Sequence, residues 1–588
     1  MQPNRTSPRR PVGIGVGLAV LATVSAGCVD SPQHHAGGGP TGHVTAAPPQ
    51  LAPPGSPAPT TSRRPGRPNI VEIVTDDMRT DDLRWMPNVR RLVEGQGLQF
   101  CNSFASYPLC APARSSLLSG QYAHDTGVWS VRSGQSFNRF DDRATIGTAM
   151  NHAGYNTVFL GKYLNGYGTE TSKVTGQNSF RYVPAGWTEW WGSVERPPNS
   201  GYPSGGTYDY FHGLFNHDGL IDDSFKGRYQ TVVEGRLLRR MVKRYHRSRK
   251  PFFMYFAPIA PHFGGPHEKG DPEGVVWPGT GKPERFKTPA RPGRVRGMFD
   301  KRITRPSGLP LGGGESQRDV SRLPRPMRWL PRIDPSERRA MLSLTRQRAE
   351  ALFVLDRQVK KLVATLKRTG EYRNTVLMFT SDNGYFLGEH RMRQGKVWAH
   401  EPSLRVPFLV AGPGIPHGVR YDPVSTEDIP ATILQLGHAR PPHPPEGVSL
   451  VPSFRRDRGW RVPVVVEGLE GARVMRTASE RGRPGFPTPL TGTGIRTAQW
   501  KYVRYVDDDG ELYDLDRDPN ELHNLYGRKK YAAVQAQLAR LWAAYRSCSG
   551  AQCRKPLPGD LQTGPNQLAR ATRAQQHRVE ARYGVPAL

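Results

Sequence analysis

Cysteine is scarce in this chain, which has five in 588 residues, and none stands in a CxxC pair or at zinc-binding spacing with histidine. Zinc sites of the finger or ribbon type are therefore excluded. Long hydrophobic runs are also missing. The best apolar segment, about residues 12–24, is too short and too rich in glycine for a good membrane span. The length alone allows a large core and predicts two to four domains.

Acidic residues are few relative to basic ones, 51 against 82, and the formal net charge is +31. Such an excess attracts polyanions such as a sulfated glycan, an acidic wall polymer or nucleic acid. The arginine usage of a GC-rich genome is the simpler explanation, and it needs no ligand. Because no nucleic-acid-binding motif is present and the basic residues are scattered along the sequence, we expect no nucleic-acid partner.

The first 28 residues are typical of a bacterial export signal, with basic residues before the apolar segment and small residues before Cys28. The sequence SAGC resembles a lipoprotein cleavage site, which predicts that Cys28 carries a lipid anchor in the membrane. Ordinary secretion is the alternative, and Arg9-Arg10 leaves twin-arginine export open. Residues 29–66, rich in Pro, Gly and Ala, predict a disordered linker. We therefore expect a protein that the export machinery delivers to the cell surface or the medium.

Two of the five cysteines stand near the C-terminus in CSGAQC, residues 548–553. Disulfides persist in oxidising compartments outside the cytosol. The spacing allows Cys548 and Cys553 to close a small loop there, although spacing alone does not decide whether they pair.

Five short apolar runs have the length and β-branched content of buried strands. They cover residues 69–75, 156–161, 251–260, 374–381 and 406–412. Helical stretches lie between them, most clearly residues 334–370, where Asp334 caps the start, Pro335 fits the first turn and Gly370 ends the helix. This alternation predicts an α/β fold with a large, mostly parallel sheet that helices cover on both faces.

Four of these runs end in charged or metal-competent side chains. These are Asp76-Asp77, Lys162, His262 and Asp382-Asn383. Because ligands bind beyond the carboxyl ends of parallel strands, we expect the four ends to form one site. The two loops that carry Asp and Asn supply four hard oxygen ligands, which favours Ca²⁺ or Mg²⁺ over zinc or copper. Adjacent carboxylates also repel each other unless a cation neutralises them.

Five motifs occur in the order seen in the type I sulfatases: RPNIVEIVTDDM, CAPARSSLLSGQY, GKYLNGYG, TSDNGYFLGEH and GELYDLDRDPNELHNL. Over about residues 67–530 the chain resembles these formylglycine-dependent enzymes. Three further segments, GWTEWWGSVE, YDYFHGLFNHDG and GQYAHDTGV, resemble the N-acetylglucosamine-6-sulfatases. The resemblance implies an alkaline-phosphatase-like fold with a catalytic domain, predicted at residues 67–455. A C-terminal subdomain with a short antiparallel sheet and a helix follows at 456–553, and a basic tail, expected to be extended over the surface, at 554–588.

The resemblance also implies a modified nucleophile. The family motif C-x-P-x-R is present as Cys110, Pro112 and Arg114. In that family a formylglycine-generating enzyme oxidises the cysteine to Cα-formylglycine before folding finishes. One hydroxyl of the hydrated aldehyde attacks sulfur, and deprotonation of the other expels sulfate. Arg114 is expected to hold this group.

The metal ligands implied by the resemblance are Asp76, Asp77, Asp382, Asn383 and the oxygen that replaces the sulfur of Cys110. Bound Ca²⁺ or Mg²⁺ is expected to lower the pKa of the nucleophile and to contact the sulfate.

Four further residues have implied roles in binding and proton transfer. Lys162 and Lys396 are expected to contact sulfate oxygens. His262 is the first candidate for the acid that protonates the leaving oxygen, and Lys396 is the second. Many family members have a histidine where this chain has Leu164, so His124 is the candidate base.

The favoured interpretation is an exported sulfatase acting on a sulfated glycan, such as one carrying N-acetylglucosamine 6-sulfate, or on an aryl sulfate. Two alternatives remain open: a formylglycine-dependent hydrolase of phosphonate monoesters or phosphodiesters, and a catalytically silent glycan-binding lipoprotein. Residues 264–333, rich in Pro, Gly and Arg, either line the mouth of the pocket or wrap the surface.

Overall fold

The structure, a computed structural model, describes residues 67–272, 275–276, 283–284, 286–328, 330–468, 492–505 and 509–585. The predicted export signal and linker, residues 1–28 and 29–66, lie outside these ranges. The described strands are β1 (Asn69–Thr75), β2 (Leu98–Phe104), β3 (Asn156–Lys162), β4 (Glu189–Ser193), β5 (Phe215–His217), β6 (Leu220–Asp222), β7 (Phe252–Ala257), β8 (Val275–Val276), β9 (Pro283–Glu284), β10 (Thr375–Ser381), β11 (Leu409–Ala411), β12 (Gly418–Ser425), β13 (Val464–Gly468), β14 (Gly492–Arg496), β15 (Trp500–Tyr505) and β16 (Gly510–Asp514).

The described α-helices are α1 (Pro87–Leu92), α2 (Cys110–Ser119), α3 (Ala123–Thr126), α4 (Ile146–His152), α5 (Gln230–Tyr245), α6 (Arg325–Arg328), α7 (Pro335–Arg368), α8 (Glu401–Leu404), α9 (Asp428–Gly437), α10 (Val451–Arg455), α11 (Ala532–Tyr545) and α12 (Pro565–Tyr583). Among the described residues, no helix combines the length and the apolar character needed to cross a membrane.

Ten of the described strands form one sheet in the order β12-β2-β11-β10-β1-β7-β3-β4-β5-β6. The neighbours β10, β1, β7, β3 and β4 are all parallel, whereas β11, β5 and β6 run antiparallel to their neighbours. The fifth predicted run, 406–412, thus forms a strand only at Leu409–Ala411, and that strand is antiparallel.

Helices cover both faces of this sheet, as successive residues of β1 make clear. Val71 and Ile73 join a core that includes α1, α5 and α7, whereas Ile70 and Val74 join a second core with α2, α4 and α9. This alternation follows from the two-residue period of a strand. The predicted α/β fold with a large, mostly parallel sheet is confirmed.

The long helix α7 begins and ends where its sequence predicts. The Glu337 backbone N–H donates to the Asp334 carboxylate over 2.9 Å, and the Asp334 N–H donates to the Glu337 carboxylate over 2.9 Å. This reciprocal capping box fixes the start, and Gly370 follows the end in the left-handed conformation, with φ 79°. The helix packs against α1 and α5 on one face of the sheet, and Arg348 near its middle reaches the carboxyl end of β1.

Residues after 460 form a second, smaller sheet. β13, β14, β15 and β16 pair in sequence order as antiparallel strands, and α11 packs against β14 and β15. This agrees with the antiparallel sheet and closing helix that the resemblance implied. Cys548 and Cys553 are joined by a disulfide just beyond α11.

A buried group of charges, here called the junction cluster, joins the small sheet to α8. Its members are His400, Glu401, Arg405, Arg496, Lys501, Glu511 and Glu521. Glu401 accepts from Lys501 over 3.0 Å and from Arg405 over 2.5 Å, and it also pairs with Arg496.

The prediction of an extended C-terminal tail is wrong, because residues 565–583 form α12. Its buried positions Leu568, Thr572, Gln575 and Tyr583 recur at helical spacing, and the Thr572 hydroxyl accepts from the Asn102 side chain over 2.9 Å. The arginines of this segment hid the stripe: Arg570 and Arg578 are exposed, whereas Arg573 and Arg582 are half-buried against Tyr421 and Ser316. The helix packs beside β12 at the edge of the main sheet.

Candidate active site

The four predicted strand ends meet at one edge of the sheet. β10, β1, β7 and β3 are consecutive neighbours and parallel, so their carboxyl ends lie side by side. Single ligand atoms of Asp76, Asp77, Cys110 and His262 all lie within 4.8 Å of one another. We call these four residues, with the Asp382, Asn383, Arg114, Lys162 and Lys396 side chains that contact them, the strand-end cluster.

The loop after β1 is fixed by contacts from two other elements. The Asp77 backbone N–H donates to Asp382 over 3.1 Å, and the Asp77 carbonyl accepts from Arg348 of α7 over 2.5 Å. Asp77 itself has φ 66°, a left-handed conformation that Asp and Asn tolerate better than most residues. This conformation lets two adjacent carboxylates both belong to the cluster.

Cys110 is the first residue of α2, so the positive end of a ten-residue helix lies at its backbone. Its Sγ lies 3.3 Å from Asp76 Oδ1 and 2.6 Å from Lys396 Nζ. Cys110 is a free, fully buried thiol, and burial together with the Asp76 charge raises its pKa well above the ordinary value. An unmodified Cys110 is therefore a protonated thiol and a poor nucleophile.

Three cations neutralise three carboxylates in the cluster. Lys162 Nζ donates to Asp76 over 2.6 Å, Lys396 pairs with Asp77, and Arg114 Nε donates to Asp382 over 2.8 Å. The second Arg114 contact, to the Lys162 carbonyl over 3.0 Å, ties α2 to the end of β3.

The charges also shift the pKa values of these acids in opposite directions. Burial raises the pKa of Asp76, but the charged Lys162 and Arg114 side chains outweigh burial and hold that pKa well below its usual range. For Asp382, burial and the Asp76 charge win over Arg114, and its pKa rises to about 6.

His262 is held in a neutral state with one free nitrogen. Its Nδ1 lies 2.7 Å from the Phe263 carbonyl, which only accepts, so Nδ1 carries the proton. Burial lowers the pKa of His262 to about 4 although Asp76 and Asp77 act to raise it. Nε2, 3.8 Å from Asp77 Oδ2, therefore presents a lone pair to the cluster.

His124, the predicted base, lies elsewhere. Its Nδ1 contacts Glu467 of β13 at 2.5 Å, and its Nε2 contacts the Cys548 carbonyl at 2.5 Å. Burial lowers the pKa of His124, but Glu467 outweighs burial and raises it to about 9. With acceptors at both nitrogens the ring is protonated twice and has no lone pair for a proton. The structure therefore assigns His124 to the contact between α3 and the C-terminal region.

The donor set fits a hard divalent cation. Asp77 Oδ2 and Asn383 Oδ1 are buried and have no hydrogen-bond partner in the part of the chain that the structure describes, although the Asn383 amide nitrogen donates to Asp77 Oδ1 over 2.7 Å. Two oxygen atoms without partners beside adjacent carboxylates are the environment that Ca²⁺ or Mg²⁺ satisfies. Asp382 is less open, because its two oxygens already accept from Asp77 and Arg114.

An aromatic wall that the sequence did not reveal stands beside the cations. The Tyr208 ring lies 5.0 Å from Lys162 Nζ and 5.0 Å from the His262 ring, and the Asn165 amide donates to its hydroxyl over 2.6 Å. Phe263 stacks on His262 at 4.1 Å. Tyr208 lies in the segment YDYFHGLFNHDG, whose sequence does not indicate which of its aromatic rings reaches the site.

Part of the stretch 264–333 also reaches this wall. Lys287 Nζ lies 4.8 Å from the Phe263 ring, and the Lys287 backbone N–H donates to Gln394 over 3.0 Å. Phe299 and Ile303 instead pack with Trp85 under α7. The stretch therefore both lines the neighbourhood of the site and wraps the surface.

Arg348, like Tyr208, contacts residues of the site and was not indicated by the sequence. Besides Asp77, it bonds Asp82 over 3.0 Å, and its guanidinium lies 4.4 Å from the Tyr385 ring. Arg348 is fully buried in the middle of α7. In a chain so rich in arginine, only a buried position in the helical pattern distinguishes it, and that signal is weak.

Known proteins share both the sequence pattern and the fold. The family described as Sulfatase matches residues 68–439, and the family described as N-sulphoglucosamine sulphohydrolase, C-terminal, matches residues 486–547. An arylsulfatase of Volvox carteri is 28% identical over 535 residues, covering 83% of this chain and 76% of that protein. The N-acetylglucosamine-6-sulfatase of Homo sapiens is 28% identical over 528 residues, covering 83% and 86%.

Among solved structures, one described as a complex with its substrate D-glucosamine-2-N,6-O-disulfate has a similar fold. Its TM-score is 0.59 at 20% sequence identity, and the match covers 83% of this chain and 98% of that one.

Proposed function

The chain belongs to the sulfatase family and is a sulfuric ester hydrolase, and we propose that it removes sulfate from a sulfated sugar such as N-acetylglucosamine 6-sulfate. The observation that carries the proposal is the position of Cys110, at the N-terminus of α2 between the carboxylates of Asp76 and Asp77 and the ammonium of Lys396. A nucleophile, anionic ligands for a cation and positive charge for an anion thus stand within hydrogen-bond reach of one another.

We propose that Cys110 acts after oxidation to formylglycine. The aldehyde supplies, once hydrated, two hydroxyls, one to attack sulfur and one to expel the sulfate. The raised pKa of the thiol supports this proposal, because the unmodified side chain is unsuited to attack. A mature peptide containing Cys110, isolated from a host with the converting enzyme, is expected to show the aldehyde mass. A peptide that retains only the thiol mass contradicts the proposal.

Asp76, Asp77, Asp382 and Asn383 would hold Ca²⁺ or Mg²⁺. When bound, this cation lowers the pKa of the nucleophile hydroxyl and balances the charge of the sulfate. Chelation is expected to abolish hydrolysis and to lower the melting temperature, because Asp76 and Asp77 then repel each other more strongly. Adding Ca²⁺ back should restore both readouts. Full activity after chelation contradicts the ligand assignment.

Lys162, Lys396 and Arg114 form the anion-binding side of the site. Arg114 and Lys162 are buried and Lys396 is mostly buried, each against a carboxylate, so their positive charges are preorganised before substrate arrives. The aromatic faces of Tyr208 and Phe263 beside these cations support a cyclic substrate such as a sugar.

Two groups hold opposite protonation states at neutral pH. Carboxylates outweigh burial and raise the pKa of Lys396, whereas burial lowers that of His262 to about 4. Such a pair separates the acid from the base. We therefore propose that His262 accepts a proton from the nucleophile and that Lys396 donates one to the leaving oxygen, which reverses the first expectation for His262.

Leaving groups of different basicity test this assignment. Lys396→Met is expected to reduce turnover of a sugar sulfate more than that of 4-nitrophenyl sulfate, because nitrophenolate leaves without a proton. His262→Gln should reduce both to a similar extent. The opposite pattern would make His262 the acid.

The substrate is tested with a panel of sulfated monosaccharides, 4-nitrophenyl sulfate and an aryl phosphodiester. We expect the highest kcat/KM on a 6-sulfated glucosamine. Faster turnover of the phosphodiester than of any sulfate would favour the phosphohydrolase alternative. Sulfated-glycan binding without turnover by fully converted protein would favour the silent binder.

We also propose export, with lipid attached at Cys28. The disulfide between Cys548 and Cys553 supports an oxidising compartment. Cys28→Ala is expected to move the protein from the membrane fraction to the medium. An unchanged distribution contradicts the anchor.

A further inference from the structure

Helices α5 and α7 cross at a point of close approach. A Cβ added to Gly235 of α5 would lie 2.7 Å from the Gln358 side chain of α7, so glycine is needed there. Around this crossing lie six basic side chains, which we call the α5–α7 basic face. They are Arg236, Arg239, Arg294, Arg357, Lys361 and Arg368.

Positive charge on this face is not neutralised by the protein. Within the described ranges, none of the six forms an ion pair with a carboxylate, and Arg239 instead donates to the neutral Gln358 amide over 3.1 Å. Burial lowers the pKa of Lys361, and the charges of Arg239, Arg357, Arg294 and Arg236 lower it further. Repulsion among the cations is therefore left unrelieved.

Some buried arginines elsewhere in the described chain are paired with carboxylates. Arg393 binds Glu337 through two nitrogens, each at 2.8 Å, and Arg291 binds Glu350 at 2.9 Å. Within the described ranges, the α5–α7 basic face differs from these pairs in that several cations lie together without a carboxylate bonded to any of them.

The basic face and the active site are connected by α7 but lie on opposite sides of it, because nine residues place the exposed Arg357 about half a turn round the helix from the buried Arg348. Arg348 of this helix donates to the Asp77 carbonyl. With a rise of 1.5 Å per residue, Arg357 lies about 14 Å and Arg368 about 30 Å farther along the axis. A polymer that occupies both sites must therefore also pass round the helix, which a long chain of sugars can do and a monosaccharide cannot.

We propose that the α5–α7 basic face binds a sulfated polysaccharide, and that the protein thereby holds a polymer at a second site while it removes sulfate at the first. The identity of the ligand rests on the proposed function. Lipid surfaces fit less well, because membrane-surface sites combine cations with several apolar side chains. Of the large hydrophobic side chains exposed in the described chain, only Met298 is close in sequence to the face.

The test uses fluorescein-labelled heparin as the sulfated polymer and measures its Kd over a range of NaCl concentrations. The double variant Arg236→Glu/Lys361→Glu is expected to bind about tenfold more weakly and to have a shallower slope of log Kd against log salt. The matched control Arg570→Glu/Arg578→Glu makes the same change in net charge on the exposed face of α12 and should bind within about twofold of the unchanged protein.

Hydrolysis of 4-nitrophenyl sulfate is measured on the same samples and should be unchanged in both variants, which also reports that they fold. Equal loss of heparin binding in the control, or no loss in the α5–α7 variant, overturns the proposal. Binding to anionic phosphatidylglycerol vesicles that depends on this face, without binding to heparin, overturns it in favour of a membrane. If no sulfate ester is hydrolysed but heparin binding still depends on the face, the proposed function fails while the second site stands.

Discussion

The strand-end cluster and the junction cluster are both buried groups of carboxylates and cations, yet they differ in how completely their oxygen atoms are paired. In the junction cluster, the Glu401 carboxylate contacts Arg405, Arg496 and Lys501, and Glu511 contacts His400 and Tyr513 through one oxygen and Tyr505 through the other. In the strand-end cluster, Asp77 Oδ2 and Asn383 Oδ1 have no hydrogen-bond partner among the described residues. In the junction cluster the corresponding unpartnered atom is a nitrogen, His400 Nδ1, while Glu521 Oε1 lacks a hydrogen bond but pairs with Lys501.

This difference separates a structural charge cluster from a functional one. Buried polar atoms without partners destabilise a fold, and in the strand-end cluster a bound cation would satisfy two neighbouring oxygens of this kind. Charge, burial and shifted pKa values occur in both clusters and do not distinguish them. What distinguishes the two clusters is whether each oxygen atom has a bonding partner. The variants below test this difference, from the largest expected effect to the smallest.

The largest effect is expected from Cys110→Ala. Removing the nucleophile should reduce kcat on 4-nitrophenyl sulfate by about 10⁴-fold or more, while the melting temperature changes little. Ser116→Ala is the control, since its buried hydroxyl on the same helix has no hydrogen-bond partner and no place in the cluster. Substantial residual turnover in the Cys110 variant would show that the nucleophile is another group.

Glu401→Gln tests the junction cluster. It leaves Arg496 and Arg405 buried without their counter-charge, and we expect the free energy of unfolding to fall by about 3–5 kcal/mol. The kcat of the folded protein should not change. Glu94→Gln, which removes an i,i+4 surface pair with Arg90 at 3.4 Å, should cost only about 0.5 kcal/mol. A loss of activity without a loss of stability would assign Glu401 a functional role.

Arg114→Lys keeps the charge in the strand-end cluster but removes the planar fork. Lysine cannot bond both Asp382 and the Lys162 carbonyl, so kcat is expected to fall by about 10²-fold. Arg143→Lys, at an exposed pair with Asp141, is the control and should have no effect on turnover. Equal kcat values for the Arg114 variant and the unchanged protein would mean that charge alone suffices.

The smallest effect on catalysis is expected from His124→Gln, with kcat within about threefold of the unchanged protein. Stability should fall by about 1–2 kcal/mol, because the protonated ring loses its bond to Glu467. Since the folded pKa of about 9 is raised, this contribution is complete below about pH 6.5 and disappears as the pH rises through 9. Exposed His152→Gln should show no such pH dependence. A thousandfold drop in kcat would restore His124 as the base.

Structural features that depend on residues close together in the sequence were predicted correctly. The four buried strands, the polar residues at their ends and the capping box of α7 all follow from residue type and spacing, and the structure contains each of them. The shared edge at which Asp76, Lys162, His262 and Asp382 meet also follows, because parallel strands direct their carboxyl ends the same way.

Features that depend on distant partners could not be predicted. The position of His124 depends on Glu467, more than 340 residues later in the chain. The buried stripe of α12 needs the edge of the main sheet as its partner, and the basic face arises only when α5 packs on α7. The sequence shows these cations as scattered because it does not show which helices touch.

The position of β1 in the sheet determines how long Cys110 waits during synthesis for the residues that later surround it. β1 is made first, but its neighbours β7 and β10 are made much later, and Lys396 follows Cys110 by 286 residues. At a synthesis rate of roughly 5–20 residues per second, Cys110 emerges roughly 15–60 seconds before the last residue that contacts it. Throughout this interval the segment cannot be enclosed, since the walls of its pocket do not yet exist. The strand order thus sets a minimum period during which a modifying enzyme has access to a side chain that the finished fold buries.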